Sequence, residues 1–227
     1  MFIEEWHGKD FYKRLPLGYH RDFAFGQIFW THAYYPHENL QLWRPVPTPD
    51  EPTKTIAREF QLQAAGKDAF DRALPLHVPK LETTEEFVVI RAKRRPVMLI
   101  QPQTSLVDEE NKGFRGRIRR NLCLVAQIFG LADAQTGREE FNPAFVDRVR
   151  RMEFPELMFL PRHPGILEVD SLLRLDEVQS VFVPHLDPTS LALGDEMTTI
   201  LRQQFQFLIT GIPAPEFTTL REMLLDD

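Results

Sequence analysis

Only one cysteine, Cys123, occurs in the 227 residues, so the chain can close no internal disulfide and build no cysteine-rich zinc site. A reducing compartment, the cytoplasm, is the expected setting. Long apolar runs are also missing, and the opening MFIEEWHGKDFYKRL mixes acids with bases, so neither a membrane span nor a secretory signal is expected. The sequence contains no glycine-rich phosphate loop, no GxSxG elbow and no HxxxH or HExxH spacing. With His32 and His37 as the one close histidine pair, no metal and no cofactor are expected. Net positive charge is lacking too. The formal balance is -6, so contact with a polyanion would depend on a local basic surface.

Basic charge is gathered in two places. Arg91, Lys93, Arg94 and Arg95 precede one apolar run, and Lys112, Arg115, Arg117, Arg119 and Arg120 precede another. The hydrophobic content of 43% is enough for a substantial core. Residues 25–35, FGQIFWTHAYY, are rich in aromatic and β-branched side chains and predict an opening strand. Pro36, Pro45, Pro47, Pro49 and Pro52 then break any continuous helix or central strand, which predicts a surface excursion. Within it, IAREFQLQ at 56–63 suggests a short strand and residues 64–73 a turn or two of helix.

Past residue 86 the runs FVVIRA, PVMLIQ and NLCLVAQIF read as short buried strands, with Cys123 as a small hydrophobe in the last. Asn142 followed by Pro143 is a helix start, and Phe145, Val149 and Met152 recur on one face of a short helix. LMFLP, ILEVDSLLRL and VQSVFVP supply three more strand candidates. Residues 194–210 predict a helix with Met197, Ile200, Leu201 and Leu208 on one face, ended by Gly211, and a last helix is expected over 218–225. The pattern predicts a mostly β protein with added helices.

Three stretches carry a family resemblance: GQIFW at 26–30, KRRPVMLIQ at 93–101 and DSLLRLDEVQSV at 170–181, followed by an amphipathic helix. In that order they resemble the MazF/PemK toxins. The resemblance implies an SH3-like small barrel with a C-terminal amphipathic helix. It implies a single domain over 1–227, with a core of 22–35 and 86–211 and insertions at 36–85 and 130–154. It further implies metal-independent cleavage of single-stranded RNA by a homodimer held in check by an antitoxin protein.

On that basis Arg95 matches the family's catalytic arginine, whose donor fork stabilises charge on the phosphorane, and Arg94 is the neighbouring phosphate contact. Gln127, in LVAQIFG, stands where the family carries a threonine or serine; it can orient phosphate but cannot act as a general base. Arg115, Arg117, Arg119 and Arg120 would track the RNA backbone, with Phe114 stacking on a base. Tyr34, Tyr35 and His37 would border the groove. Plainer readings stand beside these. Arg94 and Arg95 equally read as flanking a strand and pairing with carboxylates, the arginine loop as a solvated turn, and the tyrosines as the rim of a core. The alternative functions are a non-catalytic barrel that binds protein or nucleic acid, and a protein-directed toxin of the gyrase-targeting kind.

Overall fold

In the computed structural model of this chain, Val97, Met98, Leu99 and Ile100 are buried one after another. Successive side chains of a strand leave on opposite faces, so such a run needs cover on both sides of its sheet. Two apolar clusters supply that cover. Met98 and Ile100 join a large core with Ile28, Ala126, Ile128, Met197 and Leu201, while Val97 and Leu99 join a smaller one with Phe29, Cys123, Val125 and Val181.

The structure describes residues 1–35, 39–45, 60–64, 80–82, 84–101 and 122–226. They fall into two units, Met1–Ala33 with Arg94–Asp227, and Tyr34–Lys93. The larger unit is built on a seven-stranded sheet. Its strands are β1 (Tyr12–Arg14), β2 (Gln27–Tyr34), β6 (Ala92–Gln101), β7 (Leu122–Gly130), β8 (Leu157–Leu160), β9 (Ser171–Phe182) and β10 (Asp187–Leu193). The order across the sheet is β1-β10-β2-β6-β7-β9-β8. The pairs β1 with β10, β10 with β2, β6 with β7, and β9 with both β7 and β8 are antiparallel.

Strands β1 and β8 are the sheet edges, and among the described residues they do not pair with each other, so the sheet is open. The edges are nonetheless tied. Tyr12 on β1 donates its hydroxyl to the Pro161 carbonyl, just past β8, at 2.8 Å, and its ring meets His163 edge-on with centroids 5.7 Å apart. Burial, helped by the Asp170 charge, pushes the Tyr12 hydroxyl well above its ordinary pKa, so it remains a donor.

The short helix α1 (Ile3–His7) leads into a 3-10 turn at Gly8–Phe11. Helix α2 (Pro143–Arg150) starts as its sequence predicts: Pro143 fills the first turn, and the Asn142 side chain accepts from Ala144 N at 2.9 Å. Helix α3 (Asp195–Thr210) buries Met197, Ile200 and Leu201 and stops at Gly211, whose φ of 70° is the left-handed conformation glycine tolerates. Helix α4 (Pro215–Leu225) begins on a proline, three residues ahead of the predicted start. Gln204, buried among the apolar side chains of α3, donates its amide to the Pro155 and Leu157 carbonyls at 3.0 and 2.8 Å, which locks α3 onto the start of β8.

The smaller unit holds a three-stranded antiparallel sheet, β4 (Phe60–Ala64), β3 (Gln41–Pro45) and β5 (Val88–Val89), with β3 in the middle. Arg44 binds Glu86 there at 2.9 Å. The excursion expected over 36–85 thus contains β-structure, with Pro45 at the last position of its strand. Residues 56–59 of the expected strand, and 65–73 of the expected helical turns, lie outside the described residues.

Three differences from the sequence reading bear on the site. Strand β6 begins at Ala92, so Lys93, Arg94 and Arg95 lie inside it and do not precede it. The stretches read as two strands on either side of Asp176 are one twelve-residue strand, β9. It carries a bulge: Ala126 pairs with Val178 but the next residue, Gln127, pairs with Arg174, so Leu175, Asp176 and Glu177 are looped out. Strand β10 was not expected at all. No helix among the described residues is long and apolar enough to cross a membrane.

Candidate functional site

Arg94 and Arg95 are consecutive in β6, so their side chains leave the sheet on opposite faces. Arg94, with its side chain 55% exposed, donates to Asp187 at 2.9 Å and lies over the Trp30 ring at 5.1 Å. The register explains this reach, because Asp187 on β10 is paired with Trp30 on the intervening strand β2. Arg95 is only 7% exposed. Its guanidinium carbon sits 4.3 Å over the centre of the Phe129 ring, where the ring's negative face attracts a cation most when water is excluded. The two arginines therefore do not share a face: Arg94 is a surface group and Arg95 is packed into the sheet.

Gln127 pairs with Val97 on one side and Arg174 on the other, at the centre of the β6-β7-β9 ladder, and is 1% exposed. A phosphate oxygen has no route to an amide so enclosed. Arg174 occupies the strand beyond. Its guanidinium is 5.8 Å from the Phe129 centroid, donates to both oxygens of Asp176 at 2.7 and 2.6 Å, and meets Glu177 at 3.0 Å. The bulge puts those carboxylates within reach, since it loops out the two residues that carry them. The hydrogen bond to Asp176 outweighs desolvation and raises the Arg174 pKa, which keeps the group charged. Phe129 is thus the shared support of two guanidiniums, of which Arg95 is enclosed and Arg174 is paired with two carboxylates.

Beyond that support the surface opens. A hollow of about 170 Å³ is lined by Phe129, Phe141, Phe145, Glu156, Arg174 and Asp176, with Leu157 and Leu172 behind them. A second hollow, of about 490 Å³, shares Phe141 with the first and reaches along α2 to Asp147 and Arg150. Its apolar lining includes Leu131, Val146 and Val169, and its charges are Glu139, Asp147, Glu168, Asp170, Arg150 and Arg162. Arg150 is also bound to Glu4 and Asp147. Taken together, six carboxylates face three guanidiniums across the two hollows.

Tyr34 and Tyr35 belong to the smaller unit, where Tyr35 N donates to the Arg91 carbonyl at 3.1 Å and the Arg91 guanidinium lies 5.6 Å over the Tyr35 ring. Arg115, Arg117, Arg119 and Arg120, with Phe114 and His37, lie outside the described residues. Among the described residues no group of three or more His, Cys, Asp or Glu side chains is arranged to hold a metal ion.

Phe129, Phe141, Phe145, Glu156 and Arg174 are the residues that sequence reasoning passed over. Phe129 alone had a usable signal: two positions past Gln127 in one strand, it shares that residue's face. The chain matches no protein-family model and no curated protein.

Proposed function

We propose that this chain is a binding module built on a MazF/PemK-like framework, and that it engages a partner protein and does not cleave RNA. The framework reading is supported by the order of the resembling stretches. GQIFW lies in and just ahead of β2, KRRPVMLIQ in β6, and DSLLRLDEVQSV in and just ahead of β9, and β2 and β6 are neighbours in the sheet, with β7 between β6 and β9. An SH3-like barrel is supported by the Tyr12 tie between the sheet edges.

The binding reading is carried by one observation, the burial of Arg95 against Phe129. Metal-independent cleavage of RNA needs a cation that reaches the phosphorane and a group that takes the 2′-hydroxyl proton. The arginine at the catalytic position of the resemblance is turned inward, and the residue at the hydroxyl position, Gln127, is an enclosed amide with no basic function. The surface that remains open, along α2, is rich in carboxylates and aromatic rings, which favours a protein partner over a polyanion.

Incubating the purified full chain with a long single-stranded RNA in the presence of chelator tests this. The expected result is no cutting above a buffer control. Cuts that disappear with Arg95→Lys would instead assign the chain to the ribonucleases.

A further inference from the structure

We infer that the smaller hollow beside α2 receives a cationic side chain of the partner protein, an arginine guanidinium or a methylated lysine ammonium. The inference rests on the binding-module reading and names the ligand of its open surface.

Size comes first. At about 170 Å³ the hollow is smaller than the roughly 300 Å³ at which small-molecule sites begin, so it suits one side chain. The 490 Å³ hollow that shares Phe141 leaves room for the residues flanking that side chain.

The walls then select its chemistry. Phe141 and Phe145 stand 6.0 Å apart, inclined by only 21°, and line the hollow together with Phe129, whose ring already carries Arg95 and Arg174. The chain places its own arginines over phenylalanine rings: Arg148 over Phe154, Arg150 over Phe2, Arg202 over Phe25 and, at the hollow itself, Arg95 and Arg174 over Phe129. Among the described residues no such cation lies over Phe141 or Phe145; Phe145 is flanked by Phe141 and by Phe154, 5.4 Å away, so Phe141 is the ring left to take a cation from outside.

The charge balance agrees. Asp176, Glu177 and Glu156 all act on Arg174, which leaves two negative charges in excess around it. Both oxygens of Asp176 are taken by Arg174. Glu156 lines the hollow, and its carboxylate makes no hydrogen bond among the described residues, so it is the acceptor left for an incoming donor. A neutral apolar side chain would fill the same volume but would leave that carboxylate desolvated without a partner.

The test is a titration of the full chain, labelled with carbon-13 on its phenylalanine rings, with three capped amino acids: acetyl-arginine amide, acetyl-trimethyllysine amide and the neutral acetyl-citrulline amide. Saturable shifts of the Phe141 and Phe145 ring signals are expected with at least one of the two cations and not with citrulline, and the tighter cation identifies the side chain. Glu156→Gln, checked for an unchanged melting temperature, is expected to weaken the binding about tenfold. No shift with either cation up to its solubility, equal shifts with citrulline, or an unchanged affinity in Glu156→Gln would overturn the inference. The RNA assay separates this from the broader reading: a chain that neither cuts RNA nor binds these cations loses the cation site alone, whereas a chain that cuts RNA loses the module.

Discussion

Gly194→Ala is expected to lower the midpoint of thermal unfolding by roughly 6–12 °C, which corresponds to about 3 kcal/mol for a chain of this size. A methyl group added at Gly194 would lie 1.9 Å from the Asp10 carbonyl oxygen and 3.1 Å from its carbonyl carbon. Both are backbone atoms. Neither side can yield easily, because Gly194 N donates to the Phe11 carbonyl at 2.9 Å while the Gly194 carbonyl accepts from Thr198 N at 2.8 Å. The residue is thus stitched at once to the turn that leads into β1 and to the first turn of α3. Its φ of -60° is ordinary, so the cost comes from collision and not from backbone strain. Gly211→Ala is the contrasting case. Nothing lies within 4 Å of the added carbon there, and only the left-handed φ of 70° is penalised, at about 1 kcal/mol. Melting curves followed by circular dichroism separate the two, and equal losses would mean that α3 and the N-terminal turn are not packed as described.

Arg95→Ala is expected to destabilise the chain by about 2–4 kcal/mol, and Arg94→Ala by less than about 1 kcal/mol, when urea midpoints are compared. The two residues are neighbours with the same side chain, so the difference isolates their surroundings. Truncating Arg95 removes a desolvated cation from the face of Phe129 and opens a cavity between β6 and β7. Truncating Arg94 removes an ion pair whose partners are 55% and 67% exposed, and pairs of that kind contribute little. A protein in which both arginines served a phosphate from the surface would show small stability changes at both positions.

Much of this fold is legible in the residues because local and long-range preferences agree. Phe25 to Tyr35 is dominated by strand formers, and β2 lies within it. Asn142 and Pro143 mark the start of α2, and the spacing of Met197, Ile200 and Leu201 fixes the buried face of α3. What escapes is structure whose sequence signal is broken. Strand β10 contains Pro188, and its register with β2 jumps between Pro188 and Ala192, so no clean alternation announces it. The bulge at Leu175, Asp176 and Glu177 interrupts β9 with charge, which makes one strand read as two.

The candidate site was half legible. That Arg94 and Arg95 sit beside an apolar strand is plain from the sequence, but placing them ahead of the strand hides the alternation that sends them to opposite faces. The hollow beside α2 could not be read at all. Phe141 comes from just ahead of α2, Phe145 from its first turn, Glu156 from the turn before β8, and Arg174 from β9, and nothing in their spacing brings them together. Only the packing of α2 beside the sheet does so.

Treating the folded full chain with an arginine-selective dicarbonyl reagent, and following each site by mass spectrometry, tests the inward position of Arg95 most directly. Early modification of Arg94, with Arg95 protected until denaturant is added, is the predicted result. Equal rates at Arg94 and Arg95 in the folded chain would contradict it and return Arg95 to the surface, where a phosphate could reach it.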